Sequence, residues 1–197
     1  MKYMTYYETE EIVSEKEYMN AFAKLQAENP YIQKKIDYIE RYHFISELSE
    51  NLHLPEYSIC KKNEEELFLE KTSIQGNLFW RECEQITAEE AQKLRDGIRD
   101  WMKDDPRHLV RDFYLQMTIN RLRYDFCETY EREEYVYHKS DRVVFNRDLR
   151  KIRGNYVLEC MPRGCVQVKM RRAKTIPRVI QGMMQGPEFV AGVPAYA

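Results

Sequence analysis

Glycine, cysteine and histidine are scarce in this 197-residue chain, and each scarcity excludes a kind of site. The seven glycines form neither G-x-x-x-x-G-K nor G-x-G-x-x-G, which excludes a glycine-rich phosphate loop. The five cysteines are odd in number and never stand at C-x-x-C spacing. We therefore expect free thiols in a reducing compartment, which predicts a cytoplasmic protein. The four histidines stand singly, so a zinc site is not expected.

The chain also lacks a long apolar run and an excess of positive charge. No stretch approaches the roughly 20 apolar residues that span a membrane, and the first residues lack the apolar core of a signal peptide. The formal net charge is −2. That value argues against a general surface for DNA or RNA, because affinity for nucleic acid rests on neutralising phosphates. A local basic site is compatible with this balance.

What remains is the composition of a globular domain rich in strands. Hydrophobic residues make up 43% of the chain and charged residues 32%, which is typical of a folded domain. The length suits one domain, which we assign to residues 1–188, with residues 189–197 as a loose tail. The 15 tyrosines favour β-strands. No repeat or linker divides the chain.

The N-terminal third predicts one strand and two helices. Residues 2–13 are rich in tyrosine and branched side chains, which favours a strand. Ser14 and Glu17 form a capping box, and the helix that follows should stop before Pro30. Apolar residues at helical spacing predict a second helix over residues 31–50, although its later part could instead open a strand.

The middle of the chain predicts a β-hairpin followed by two helices. Two β-rich runs flank a glycine turn within residues 67–82. Thr87 and Glu90 form a second capping box, which opens a helix that we expect to end near residue 104. A short helix should follow over residues 107–115.

The C-terminal half is rich in strands. Alternating side chains predict a long strand over residues 117–130, and segments 135–138 and 142–145 should pair across a polar turn. A further strand is expected at residues 155–160 and a closing helix at residues 177–185. This order predicts an α+β fold: an antiparallel sheet with helices packed at its ends, or a closed, tunnel-like β-barrel.

Four segments carry acidic residues, basic residues or both within predicted strands and the turns beside them. They are Tyr7-Glu8-Thr9-Glu10, the hairpin with Glu70 and Arg81, Tyr130-Glu131-Arg132-Glu133-Glu134-Tyr135 with Arg142 after it, and Val157-Leu158-Glu159-Cys160-Met161. In this order they resemble the E-x-K, K-x-R and Y-x-R-x-x-Y strands of the VTC family, whose polyphosphate polymerases belong to the triphosphate tunnel metalloenzymes. The third segment is the most specific. The resemblance covers most of the chain apart from about residues 30–60, where the family has a basic strand, and the tail.

The resemblance implies a function and a set of site residues. Such a tunnel transfers a phosphoryl group from a nucleoside triphosphate to polyphosphate with Mn²⁺ or Mg²⁺. It implies Glu8, Glu70 and Glu159 as metal ligands, since hard cations take carboxylate oxygens. It also implies three phosphate-binding arginines: Arg81, Arg132 and Arg142.

Four positions depart from the family pattern. Glu10, Thr72, Trp80 and Met161 stand where the family has lysine. We therefore expect weak anion binding that needs a divalent metal, and little or no polyphosphate-forming or triphosphatase activity. Basic residues elsewhere could reach inward and substitute: Arg81, Lys61, Lys71 and the run at residues 169–174.

Each of these residues also has a structural interpretation. The glutamates could be solvated strand faces, and Arg132 and Arg142 could form surface ion pairs. Trp80 could belong to the core, and the basic run at residues 169–174 could be an exposed cluster. The alternative function is a non-catalytic α+β module that binds an anion or a protein partner, with a plain interaction protein as a third hypothesis.

Overall fold

The computed structural model describes residues 2–28, 34–48, 54–63, 65–137 and 141–172, which form nine strands and three α-helices. In chain order they are β1 Lys2–Ser14, α1 Glu15–Glu28, β2 Lys34–Ser46, β3 Glu56–Lys62, β4 Glu66–Gln75, β5 Leu78–Gln85, α2 Ala88–Arg95, α3 His108–Ile119, β6 Leu122–Tyr137, β7 Asp141–Arg153, β8 Tyr156–Glu159 and β9 Cys165–Arg172. A 3-10 turn, Asp100–Met102, lies between α2 and α3.

Eight of these strands close into an antiparallel barrel. The strand order is β6-β2-β3-β4-β5-β1-β9-β7, and β7 pairs with β6 to complete the ring. The ninth strand, β8, pairs with β7 outside the ring. Because side chains alternate along a strand, each barrel strand presents one row to the interior and one to the outside. The α+β barrel expected from the sequence is therefore the observed fold.

One apolar core lies between α1 and the outside of the barrel. Tyr18 of α1 meets Phe145 edge-on, with ring centroids 4.9 Å apart, and Tyr135 meets the same ring at 5.7 Å. Val168 and Met170 of β9 complete this cluster. The apolar row of these strands is thus covered by the helix, which leaves the opposite row to the barrel interior.

A second apolar core lies under α2 and α3. Phe113 of α3 packs between Phe44, at 4.9 Å, and Tyr57, at 5.1 Å between ring centroids. Leu69 of β4 and Leu94 of α2 are fully buried beside them. Here again the outward row is apolar, so the interior rows of β3 and β4 are free to be polar.

Both predicted capping boxes are confirmed. The Ser14 amide donates to Glu17 Oε2 at 2.9 Å, and the Glu17 amide donates back to Ser14 Oγ at 3.3 Å. At α2 the Thr87 amide donates to Glu90 Oε2 at 2.8 Å, and the Glu90 amide donates to Thr87 Oγ1 at 3.1 Å. These bonds satisfy helix N-terminal amides that have no partner within the helix.

The predicted second helix is wrong, because residues 34–46 form β2. Asp37, Ile39 and Arg41 are buried on one face, whereas Ile36 is 52% exposed on the other. That is a period of two, and the spacing of the isoleucines also happens to fit a helix. Pairing of β2 with β3 and β6 decides between the two structures.

Two helix boundaries also differ from expectation. The helix expected to reach about residue 104 ends at Arg95, since Gly97 adopts a φ of +75° that terminates it. The helix α3 continues to Ile119, so the long strand begins at Leu122 rather than at residue 117.

Most of the other strand predictions are confirmed. The strand at residues 2–13, the hairpin at 67–82 and the strand at 155–160 are confirmed. The segments around residues 135–145 pair as adjacent antiparallel strands, as expected. The strand β9 was not anticipated. The closing helix and the tail lie outside the described residues, so the proposed domain boundary stays a prediction. Within the described part of the chain, none of the helices is long and apolar enough to cross a membrane.

Candidate anion site inside the barrel

The barrel interior encloses a cavity of about 410 Å³, and all eight barrel strands contribute to its lining. Its charged members are the carboxylates Glu8, Glu10, Glu56 and Glu128 and the cations Arg41, Arg81, Arg132, Lys169 and Arg171. The neutral polar members include Ser58, Thr72, Tyr130, Asn146 and Gln167. Acids and bases therefore share this interior, and their pairing decides which charge is left for a ligand.

Glu70 of β4 is buried and paired with two arginines that line the cavity. Its Oε2 is 2.5 Å from Arg41 Nη1 of β2 and 3.9 Å from Arg81 Nη1 of β5. Burial alone would raise the pKa of this carboxyl, but the guanidinium groups of Arg41 and Arg81 outweigh it and lower the pKa of Glu70 to about 2. Glu70 is therefore ionised and fully engaged at neutral pH.

Arg132 of β6 is buried in the interior without a charged partner. Its Nε donates to Asn146 Oδ1 at 3.0 Å, and its Nη2 donates to the Tyr130 hydroxyl at 3.3 Å. Across the described ranges, no carboxylate lies within 4.0 Å of it. Burial lowers the pKa of Arg132, and the nearby cations Arg171 and Arg41 lower it further. A buried cation with only neutral partners is the arrangement that an anion would stabilise.

The carboxylates of β1 are paired with cations of β9. Arg171 Nε donates to Glu8 Oε2 at 2.7 Å. Lys169 Nζ lies 3.6 Å from Glu8 Oε1 and 2.8 Å from Glu10 Oε2. Burial would raise the pKa of Glu8, but Arg171 and Lys169 reverse this and lower it. This half of the interior is charge-balanced.

The structure brings four of the six predicted site residues into the barrel. Glu8, Glu70, Arg81 and Arg132 lie inside it. Arg142 pairs with Glu134, with 41% of its side chain exposed, so it lies at the edge of the interior. Glu159 lies on β8, outside the ring, with 57% of its side chain exposed and Arg163 Nε 3.8 Å away. The segment matched to the family's last strand is thus the wrong one, because β9 closes the barrel instead.

Three cations that face the interior are not among the predicted site residues. Arg41 lies in the segment for which a helix was predicted, so the sequence pattern offered no reason to place it on an inner strand face. Lys169 and Arg171 belong to the basic run at residues 169–174, which fits either an exposed cluster or side chains that reach inward. The available signal was the strict alternation of Val166, Val168 and Met170 with three polar residues, which fits a strand with one apolar face. Those polar residues are Gln167, Lys169 and Arg171.

Two other basic residues that could have substituted for the missing lysines point outward. Lys71 pairs with Asp112 of α3 at 2.8 Å, and Lys61 pairs with Glu40 at 3.2 Å. Trp80 is neither core nor cavity lining, since it lies on the outer face of β5 and is 38% exposed.

The residues present do not fit the metal site that the resemblance implies. Glu8 and Glu70 are engaged by arginine on different strands, and Glu159 lies outside the barrel. Among the described residues, no group of three or more histidine, cysteine, aspartate or glutamate side chains is placed to hold a metal ion. A divalent cation needs several oxygen ligands at one point, and these carboxylates do not supply them.

No protein-family model matches the chain, and no curated protein matches it in sequence. Solved structures do share its fold. A protein from Bacillus halodurans named “putative adenylate cyclase” is 11% identical, with a TM-score of 0.57 over 94% of this chain and 88% of the other. A “putative adenylyl cyclase” from Hippeastrum, described as having a dominant triphosphatase activity, is 9% identical, with a TM-score of 0.59 over 92% and 84%.

A third similar structure comes from a larger assembly. It belongs to the Mediator head module of Schizosaccharomyces pombe and is 8% identical, with a TM-score of 0.51 over 91% of this chain and 89% of the other. At these identities the likeness shows the fold alone. The chain has the tunnel-like barrel fold that the resemblance predicted, and the VTC family in particular stays a prediction.

Proposed function

We propose that the barrel interior binds a phosphate-bearing anion directly through guanidinium groups and performs no metal-dependent phosphoryl transfer. The observation that carries this proposal is the grouping of Arg41, Arg81 and Arg132, for which Glu70 is the one ion-paired carboxylate among the described residues. All three act on the same carboxyl group and lower its pKa. Guanidinium groups match phosphate oxygens in geometry and charge.

The ion pairs of the interior also support the non-catalytic part of the proposal. A metal at Glu8 or Glu70 would have to displace Arg171 or Arg41, each within 2.7 Å of its carboxylate. Breaking a buried ion pair is strongly unfavourable, because it leaves an uncompensated charge in a poorly solvated site. The phosphate class of ligand is further supported by the triphosphatase activity described for the Hippeastrum protein.

Calorimetry with tripolyphosphate and with orthophosphate, each with a chelator and with Mn²⁺, tests the proposal. We expect binding in the chelator, with little gain from Mn²⁺, and a loss of about tenfold or more in affinity for Arg132→Gln. Arg163→Gln is the matched control, since Arg163 is exposed outside the barrel. Binding that strictly requires Mn²⁺ would support the metal-dependent site instead, and absence of binding by either anion would overturn the proposal.

A second candidate function, binding of a protein partner, is favoured by an aromatic patch on the outer face of β1 and β5. Trp80 lies directly across from Thr5, and Tyr3 and Tyr7 flank that position on the same face. The three aromatic residues are 38%, 70% and 55% exposed. Aromatic residues are enriched at protein interfaces, and the same fold occurs within the Mediator head module. Self-association in sedimentation velocity that Trp80→Ser removes would identify this patch as an interface.

A further inference from the structure

We infer that the ligand presents one phosphate group, free or as a monoester, to the cluster formed by Arg41, Arg81, Arg132, Tyr130 and Ser58. This inference rests on the proposed function, since it specifies the ligand of the same cavity. It departs from the triphosphate that the resemblance implies. Two independent features of the cluster carry it: the number of unneutralised charges and the direction of the hydrogen-bond donors.

The cluster itself has a surplus of two positive charges. Glu56 and Glu128 also line the cavity, but among the described residues neither forms an ion pair with the three arginines, and Glu128 lies 3.1 Å from His43 Nε2. Arg41, Arg81 and Arg132 contribute three cations, and Glu70 contributes one carboxylate. A phosphate monoester carries about −1.5 to −2 at neutral pH, which matches that surplus. A triphosphate carries about twice as much.

Within the described ranges, the β1–β9 side of the interior has no unpaired positive charge that could bind a second or third phosphate group. Glu8 and Glu10 already engage Lys169 and Arg171. A second or third phosphate placed there would lie beside two carboxylates whose cations are in use. Like charges held together in a poorly solvated cavity repel strongly, so the β1–β9 side disfavours a polyanion.

The neutral groups of the cluster are oriented as donors. The Tyr130 oxygen accepts from Arg132 Nη2 at 3.3 Å and, more weakly, from Arg41 Nε at 3.5 Å. A phenol has one hydrogen and two acceptor lone pairs, so its hydrogen remains to be donated. In the part of the chain that the structure describes, no acceptor takes it. Ser58 Oγ likewise accepts from Arg41 Nη1 at 3.0 Å and keeps its own hydrogen.

Tyr130, Ser58 and Arg132 are each more than nine-tenths buried, and all three line the cavity. A site whose accessible groups are donors fits a ligand whose atoms are acceptors, and phosphate oxygens are such atoms. The cavity of about 410 Å³ leaves room beyond the phosphate. The organic part of a monoester could occupy that room, beside Phe79 and Phe126, which also line the cavity.

The test compares three probes by calorimetry in the presence of a chelator: orthophosphate, glycerol 3-phosphate and tripolyphosphate. We expect one of the first two to bind at least as tightly as tripolyphosphate. Equal affinity for orthophosphate and glycerol 3-phosphate identifies free phosphate as sufficient. A gain of about tenfold or more for the ester shows that the organic part also makes contacts. Tripolyphosphate binding tenfold tighter than both overturns the inference and leaves the proposed function standing, whereas failure of all three to bind overturns the proposed function itself.

Tyr130→Phe supplies the second variant, because it removes only the hydroxyl and keeps the ring. We expect it to weaken phosphate binding about tenfold, with its thermal unfolding measured in parallel to show that it folds. Tyr124→Phe is the matched control, since Tyr124 packs outside the barrel against Phe44. Unchanged phosphate affinity in folded Tyr130→Phe contradicts the donor assignment.

Discussion

Arg41 of β2 and Glu70 of β4 meet inside the barrel across the intervening strand, with Nη1 of the arginine 2.5 Å from Oε2 of the glutamate. Ser58 of that strand, β3, accepts from the same Nη1 at 3.0 Å. Three neighbouring strands are thereby joined by one guanidinium group. The pair neutralises the carboxylate that would otherwise repel an anion, so it contributes to the fold and to the charge of the site together.

Removing the carboxylate of this pair should destabilise the protein strongly. Glu70→Gln leaves Arg41 and Arg81 buried without a counter-charge, and breaking a buried pair in this way costs about 3–5 kcal/mol. Urea unfolding at pH 7 measures the loss. Glu66→Gln serves as control, because Glu66 lies on the same strand and is exposed. A loss below about 1 kcal/mol would mean that the pair is solvated. Phosphate should restore part of the loss, because it binds the same two cations and supplies a counter-charge in place of the carboxylate.

Stability should also fall in acid for a reason specific to Glu70. Its folded-state pKa is about 2, against an ordinary value of 4.5, so the unfolded chain takes up the proton first as pH falls. The contribution is complete above about pH 4.5 and is lost as pH falls toward 2. The shift corresponds to roughly 3 kcal/mol. Unfolding curves at several values between pH 7 and 3 should converge for the wild type and Glu70→Gln, and parallel curves would contradict this assignment.

The pairing of β4 with β5 places two nearby basic residues on opposite faces of the barrel wall, so we expect their removal to have different effects on phosphate binding. Lys71 lies on the outer face and pairs with Asp112 of α3 at 2.8 Å, whereas Arg81 of β5 lies inside with Glu70. Lys71→Met should lower stability by about 1 kcal/mol and leave phosphate affinity within about twofold of wild type. Arg81→Met should instead weaken phosphate binding by about tenfold or more. Calorimetry on both variants checks the register, and the reverse ranking would show that β4 and β5 are turned by one residue.

The parts of the fold that follow from local signals could be predicted from the sequence. The two capping boxes and the hairpin between β4 and β5 depend on residues close together in the chain, and each was found where expected. The barrel itself was predicted as one of two arrangements. Its closure depends on pairing of β6 with β7 and of β1 with β9, and only the former joins segments adjacent in sequence.

The candidate site was harder to predict, because its charges come from strands far apart in the chain. Glu8 and Arg171 are separated by 163 positions, and no spacing rule relates them. The expectation of a tunnel with acids and too few cations followed from this gap. Arg41, Lys169 and Arg171 supply the cations in this chain, and they pair with Glu70, Glu10 and Glu8.

The last prediction concerns turnover. Phosphate release or polymer formation from ATP, with Mn²⁺ or Mg²⁺, should not exceed the level of an Arg132→Ala, Arg142→Ala double mutant. Phosphoryl transfer depends on charge placed where negative charge develops, and loss of one such contact costs about a hundredfold or more. Here Glu8 and Glu70 are held by arginine, and Glu159 lies outside the barrel.

The losses are not additive, so we predict only a severe defect and not its exact size. The double mutant controls for a contaminating enzyme, because contamination would give the same rate in both preparations. Turnover that requires metal and disappears in the double mutant would contradict the prediction. It would require a metal to displace Arg171 from Glu8 or Arg41 from Glu70 during the reaction. Glu8→Gln would then distinguish a metal bound at Glu8 from a metal bound at Glu70. It removes the Glu8 carboxylate and leaves the Arg41–Glu70 pair intact.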